Sequence, residues 1–335
     1  MHEKEMKTKI VDSVDELCKK YNVPGVAVGY IYKEHTYIHT YGVTNSIKQS
    51  PVTADTGFEI ASLSKSFTAF AVQSLIFDGK WSLDMPITKL NPELELWFEN
   101  QNVAGSITIG HLLYHTSGLS NLLINKINSA CNSTARLIHC LNRQVLQAAP
   151  GTKYEYTSLN YDVLAYLIEL ETGYPFFMYL QNSVLAPLKL QQTVIPEIAE
   201  KAKQSYGHKW CFGKVVPCKS KHHEANLSSG YIVSTINDMM RWLQIHMEQA
   251  CDIPQRYHDI VQLSHKENRS VAACNGVYYA SGWKKPVRLP QLYHDGTNPG
   301  FSAIMRIRLH DKIGIFVLDN LNTIAVEYIA DTKRL

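Results

Sequence analysis

The chain lacks any uninterrupted apolar run near the roughly 18 residues that a membrane-crossing helix needs, so no membrane segment is expected. It also lacks an excess of one charge: 33 Lys and Arg face 30 Asp and Glu, and no basic cluster alternates with aromatics in a binding stripe, which argues against a nucleic-acid partner. Seven cysteines in 335 residues are too few, and odd in number, for a disulfide scaffold. Cys211 and Cys218 bracket Phe-Gly-Lys-Val-Val-Pro, a hairpin-like stretch across which one disulfide is expected if the protein is exported. His222 and His223 follow, but the six-residue gap between the two cysteines is wider than common zinc-ligand spacing, so no metal is expected. Glycine-rich phosphate loops and internal repeats are missing, and nothing calls for a cofactor. The first residues, Met-His-Glu-Lys-Glu-Met-Lys, have no apolar stretch of a signal peptide, so the sequence as it stands reads as cytoplasmic, or as periplasmic or otherwise exported if a signal has been trimmed. The close of the chain, just past a short helix-like segment, also allows for a trimmed tail.

What is present is chemistry. Apolar residues make up 45% of the chain, enough for one large buried core. Phe58 to Thr68 places Ser62 and Lys65 three residues apart at the mouth of a helix-like run. Residues so spaced share a helix face, so the Lys65 amine can sit beside the Ser62 hydroxyl, which needs such a base before it attacks a carbonyl. A helix N-terminus favours the negative charge that then develops. Tyr154 to Asp162 forms a second candidate, in which Tyr156 and Ser158 point the same way if the stretch is extended. Leu292 to Phe301 forms a third, with His294, Asp295, Gly296, Thr297 and Asn298 ahead of two strand-like runs, and a glycine there lets backbone approach a ligand closely.

Patterning predicts a hairpin from Gly25 to Tyr32 and Thr36 to Val43, and strands at Val277 to Trp283, Leu289 to His294, Ser302 to Leu309 and Lys312 to Leu318. Helices are predicted at Ser66 to Phe77, Ser133 to Leu146, Tyr161 to Glu171 and Thr235 to Glu248. The expected fold is α/β (α+β): an antiparallel sheet built from both chain ends and flanked by helices, with a helical lobe inserted. A single catalytic domain spans residues 1–335, with its sheet lobe at about 7–65 and 250–335 and its helical lobe at about 66–249.

With these three motifs in this order, the chain resembles the penicillin-binding, serine-reactive β-lactamase family in its class C-like and esterase-like branch. Val23-Pro24-Gly25, Tyr41-Gly42, His111-Leu-Leu-Tyr-His-Thr-Ser-Gly118 and Ser229-Gly-Tyr-Ile-Val-Ser-Thr235 look like further family landmarks. The resemblance implies a β-lactamase/DD-peptidase-like fold with the site between the lobes, Ser62 as nucleophile, Lys65 and Tyr156 sharing the proton transfers, and an oxyanion hole from the N–H groups of Ser62 and Thr297. At least one of Lys65 and Tyr156 must then have a lowered pKa, which neighbouring positive charge could supply.

Two departures bear on substrate. Many relatives carry Lys-Thr-Gly at the third motif where this chain has His294-Asp295-Gly296, which weakens the case for substrates with a free carboxylate unless Lys284, Lys285 or Arg288 compensates. The second motif reads Tyr-x-Ser instead of Tyr-x-Asn, and with Asn298-Pro299 this resembles the subgroup of prodrug peptidases of the colibactin-maturation type. That resemblance implies an acyl-peptide substrate capped by an N-acyl-D-asparagine, with Ser158, Asn226, His294, Gly296 and Asn298 lining its place. A broad esterase, D-amino-acid peptidase or β-lactamase-like hydrolase is the alternative activity, and a non-catalytic ligand-binding or self-assembling relative is the alternative of another class.

Overall fold

The computed structural model describes residues 3–123, 133–199, 203–219 and 224–331. The histidines His222 and His223 lie outside these residues.

A long helix, α1 (Glu3–Tyr21), leads into two strands, β1 (Gly25–Tyr32) and β2 (His35–Gly42). Five more strands come from the far end of the chain: β3 (Val277–Tyr279), β4 (Lys284–Pro286), β5 (Leu292–Asn298), β6 (Phe301–Arg308) and β7 (Ile313–Asp319). Together they make one antiparallel sheet in the order β3-β4-β5-β6-β7-β1-β2. The strand next to the N-terminal hairpin is therefore the last one, β7, registered from Val26↔Asp319 to Tyr32↔Ile313.

Strand periodicity explains the two layers that cover this sheet. Val26, Val28 and Tyr30, with Ile304, Ile315 and Val317, face α1 and the short C-terminal helix α6 (Ala325–Ile329), through Ile10, Val14, Leu17 and Val326. Ala27 and Ile31, with Ala303, Met305, Ile307, Phe316 and Leu318, face the helical layer. Gly29 shares that inner face, and a Cβ there would lie 1.9 Å from Met240 Sδ, so only glycine lets α4 (Ile236–His246) lie this close.

The helical layer is centred on α2 (Ser64–Phe77), whose residues from Ser64 to Leu75 are all buried. It is enclosed on every side, and its buried polar side chains, Lys65, Ser66, Thr68 and Gln73 among them, find partners within the protein. Around it lie α3 (Leu159–Thr172), α4 and α5 (Gln255–Ser264). The predicted strand Val277 to Trp283 is in fact interrupted after Tyr279. Gly282 causes the break: it has φ +74 and approaches α2 so closely that a Cβ would lie 2.6 Å from Ser66 Cα.

The Cys211–Cys218 disulfide is overturned. Both thiols are free, and their hairpin pairs Cys211 with Lys214 near its tip but Cys218 with Gly207 at its base. Four residues of strand separate the two positions, roughly 13 Å, whereas a disulfide needs Cα atoms within about 7 Å.

Candidate active site

Ser62 sits in a single tight turn, Ala61–Leu63, that runs directly into α2. Ala61 is held at φ +49, a left-handed conformation unusual for a residue with a Cβ. The first turn of α2 then carries Lys65 back toward the serine, as the three-residue spacing predicts. Its Nζ donates to Ser62 Oγ at 3.2 Å, to Ser158 Oγ at 3.2 Å and to the Ser229 carbonyl at 2.6 Å. Ser158 enters from the N-terminus of α3 and Ser229 from the turn Leu227–Tyr231, so three segments converge on one amine. That turn is fastened to α2 by the Thr68 hydroxyl donating to the Ser228 carbonyl (2.7 Å) and the Ile232 N–H donating to Ser64 Oγ (3.2 Å).

Lys65 is wholly buried. Loss of hydration pulls its pKa down to about 7, with the like charge of Lys284 adding to the fall and Asp162 opposing it. Burial is the main cause, where the sequence reading had looked to neighbouring positive charge. Asp162 is itself pushed up to about 7 by burial, and accepts a hydrogen bond from the Ser228 hydroxyl at 2.9 Å. Tyr156 moves the other way: burial raises its hydroxyl to about 12, against a hydrogen bond with Ser62 and the charge of Lys284. Its ring lies 5.0 Å from Lys65 Nζ and 5.7 Å from Lys284 Nζ. Burial thus moves the two groups in opposite directions, Lys65 toward easier loss of its proton and Tyr156 toward firmer retention of its own.

The third motif borders the same serine. Gly296 on β5 is so close that a Cβ would lie 2.6 Å from the Ser62 nitrogen and 2.9 Å from Ala61 Cβ. Thr297 follows it, exposed, in register with Ser302. His294 and Asn298 both have polar groups engaged within the protein. His294 is wholly buried, with Nδ1 on the Asp295 carbonyl (2.7 Å) and Nε2 on the Tyr279 hydroxyl (3.0 Å), and burial holds it neutral by drawing its pKa down to about 3. With both ring nitrogens engaged it braces the strand from beneath. Asn298 donates both N–H bonds of its amide within the protein, to Glu59 Oε2 (2.7 Å) and to the Gly230 carbonyl (2.8 Å), which leaves its amide oxygen as the group to offer a ligand. Asn226 is buried at the start of the turn that carries Ser229.

Two features go beyond the sequence reading. Lys284, one of three cations that strand register left unplaced, pairs with Tyr293 across the sheet and brings Nζ to 2.5 Å from Asp295 Oδ1. It therefore stands at the site as half of an ion pair, whereas Lys285 turns to Glu267 at 2.6 Å. The second feature is His115, buried among the rings of Tyr156 (4.5 Å), Tyr279 (4.5 Å) and Tyr161 (5.2 Å), where burial keeps its imidazole neutral. Its Nδ1 meets Asn160 Nδ2 at 3.0 Å and so locks the wall behind Tyr156.

A buried lysine poised on a serine at the end of an enclosed helix, beside a covered antiparallel sheet, is the arrangement that the comparisons with known proteins bear on. The chain belongs to the beta-lactamase family, whose model matches residues 10–334. It is 30% identical over 340 residues to a beta-lactamase of Escherichia coli K12, covering 92% of this chain and 87% of that protein. It is 28% identical over 310 residues to protein flp of Staphylococcus aureus, covering 91% of this chain but only 61% of flp, so it spans about three-fifths of that relative's length. Among solved structures it resembles the D-alanine carboxypeptidase AmpC of Burkholderia cenocepacia (TM-score 0.83, 21% identity, 98% of this chain and 99% of that one). It also resembles an octameric penicillin-binding protein homologue of Pyrococcus abyssi (TM-score 0.81, 22% identity, 96% and 75%).

Proposed function

We propose that the protein is a peptidase or amidase that works through an acyl-enzyme on Ser62, and that its substrate carries an N-acyl-D-amino-acid cap of the D-asparagine kind. The observation that carries the hydrolytic reading is the 3.2 Å approach of a buried, easily deprotonated Lys65 to Ser62 Oγ.

In this reading neutral Lys65 takes the Ser62 proton as Oγ bonds to the acyl carbon. The N–H groups of Ser62 and Thr297 hold the oxyanion, and the closeness permitted by Gly296 brings the two backbones together. The C–N bond breaks as Tyr156, protonated at neutral pH, gives its proton to the leaving nitrogen, and Lys65, its Nζ 5.0 Å from the Tyr156 ring, then passes the proton taken from Ser62 to the phenolate oxygen. Water then attacks the ester carbon, passing its proton to Lys65, and Lys65 hands that proton to Ser62 Oγ as the C–O bond breaks and the acid leaves.

For the cap, the groups on offer are neutral. Ser158 already accepts from Lys65, so its hydroxyl proton is available to a carboxamide oxygen, and Asn298 has its amide oxygen for a carboxamide N–H. Lys284 favours a second reading, in which the substrate bears a free carboxylate, as in a D-alanine carboxypeptidase. Against it, Asp295 already neutralises Lys284 at 2.5 Å and would repel a second anion.

Mass-spectrometric cleavage assays of paired N-acyl-D-Asn and N-acyl-L-Asn amides, beside a peptide ending in D-Ala-D-Ala, separate these readings. The D-Asn reading expects Ser62-dependent cleavage of the D-Asn amide. Cleavage of the D-Ala peptide alone would move the assignment to the carboxypeptidase type. Absence of fluorophosphonate labelling at Ser62 in folded protein would remove the hydrolytic reading itself.

A further inference from the structure

The hairpin Gly207–Cys211 and Lys214–Cys218 carries features that hydrolysis leaves unused. Its ladder runs from Gly207↔Cys218 to Cys211↔Lys214, leaving Phe212 and Gly213 as a two-residue turn with φ +47 and +76. That is the turn for which Asn-Gly is the favoured pair, and a bulky aromatic in its first place is conformationally costly. Phe212 is nonetheless there, 101% exposed, with Trp210 on the same hairpin 51% exposed. Beside the hairpin base, the loop at 44–50 turns out Ile47, 77% exposed, and is tied down by the Ser46 N–H donating to His208 Nε2 at 3.0 Å.

The charge on the hairpin and the neighbouring loop is of one sign, and the nearby acids Glu59 and Glu197 line the depression at the hairpin base beside Lys219, away from the tip. Lys209, Lys214 and Lys219 stand exposed on the hairpin and Lys48 on the neighbouring loop, while Lys19 lines the same surface depression as Trp210 and Lys214. Neither 203–219 nor 43–52 contains an aspartate or glutamate. Asp15, on the neighbouring helix α1, is held by His39 at 2.8 Å.

We propose that this basic, aromatic hairpin tip docks the protein on an anionic lipid surface. Single apolar side chains that project from a stiff ladder suit insertion among headgroups, where aromatic rings settle with an apolar body and a wet edge, better than they suit a flat protein partner. The lysines around them match a negative membrane surface, which attracts each nearby cation. The hairpin base is anchored to the end of the main sheet next to the site strand, at the β5–β6 turn and just past β7: the His208 N–H donates to the carbonyls of Gly300 (3.3 Å) and Asn320 (2.9 Å), and a Cβ on Gly207 would lie 2.9 Å from Phe301. Docking would therefore fix the orientation of the cleft to the bilayer. The proposal is independent of what Ser62 does.

Flotation of the full chain with vesicles of phosphatidylcholine, alone or mixed with phosphatidylglycerol, tests it. Binding is expected on the mixed vesicles and is expected to fall as salt rises. Lys209→Gln with Lys214→Gln should weaken partitioning on the order of twenty-five-fold, about fivefold for each lysine. Phe212→Asn should abolish binding while melting no lower than the parent, since asparagine suits this turn better than phenylalanine. Equal binding to both vesicle types, no binding at low salt, or binding that survives Phe212→Asn would each overturn the proposal. A concentration-dependent dimer that Phe212→Asn dissolves, without vesicle binding, would assign the face to a second copy and overturn it equally.

Discussion

Helix α2 has buried titratable groups on two sides, and their surroundings differ. At its N-terminus Lys65 lies against Ser62, which is part-exposed at the cleft and borders a strand that glycine brings within reach. Farther along, His246 and His265 meet at 2.9 Å (Nδ1 to Nε2) among Phe70, Trp242 and Trp283. Burial displaces both sets in the same direction, Lys65 to about 7 and His265 to about 3, with His246 well below its usual range. For lysine that displacement creates a base near neutral pH, while for histidine it abolishes one. Loss of hydration alone therefore does not mark a site. What separates the two is the starting pKa and a nucleophile within reach.

The largest expected effect comes from breaking the reactive side. Ser62→Ala should lower turnover by at least about 10³-fold, as loss of a nucleophile that acts in concert with its base does. It removes one hydroxyl, so the thermal midpoint should stay with the parent; full turnover in purified mutant would reject Ser62 as nucleophile. Gly296→Ala comes next. Its methyl would press on the backbone nitrogen of Ser62, so strand and nucleophile must separate, and a shift of about 1 Å in such a constellation costs on the order of 10²-fold in kcat. An unchanged kcat would show that the two backbones need not be this close.

The reactive core of this arrangement is legible in the sequence because it is local. Ser62 and Lys65 are one helical turn apart, and Tyr156 and Ser158 lie in one short segment. The outer sheet patterning is also local, as in the Gly25 to Tyr32 run that becomes β1. The unread parts depend on contacts across long sequence separations. Lys284 reaches Asp295 only through the register Lys284↔Tyr293, and a slip of one residue would have placed Lys285 there instead. Asn298 loses its donors to Glu59, 239 positions away, and His294 is closed over by Tyr279. One omission was avoidable: Tyr257, Ile260, Val261 and Ser264 follow the i, i+3, i+4, i+7 pattern of the buried stripe of α5.

A smaller effect tests the inert side. Each imidazole here has its pKa lowered on folding, so the folded state takes up fewer protons than the unfolded chain below pH 6.5. Stability is full above that value and declines as pH falls toward the folded pKa, about 3 for His265. The slope is about 1.4 kcal/mol per pH unit for one fully shielded group, and somewhat less for His265, whose ring is partly exposed. His265→Gln removes that titration, so it should recover roughly 1–2 kcal/mol of the stability lost between pH 7 and pH 5, as read by denaturant unfolding. Turnover should be unaltered. An equal acid loss in parent and variant would show that His265 titrates alike in the folded and unfolded chains.

The smallest expected effect joins the cleft's electrostatics to its rate. If Lys65 is the base, kcat/KM rises with pH as Lys65 loses its proton, with an apparent midpoint near 7, and it holds until Tyr156 begins to ionise far above. Lys284 contributes to that midpoint as a like charge that disfavours protonated Lys65, partly offset by its partner Asp295. Lys284→Met removes the repulsion, so Lys65 should hold its proton to higher pH and the acid limb should move up by roughly a few tenths of a unit to one unit. Lys285→Met, whose ammonium pairs with Glu267 instead, is the control and should leave the limb in place. The two lysines are adjacent and of the same charge, and they differ in which face of β4 they occupy. A limb that moves with Lys284 alone would trace the base to Lys65, whereas equal shifts in both variants would reduce the effect to net charge and detach Lys284 from the site.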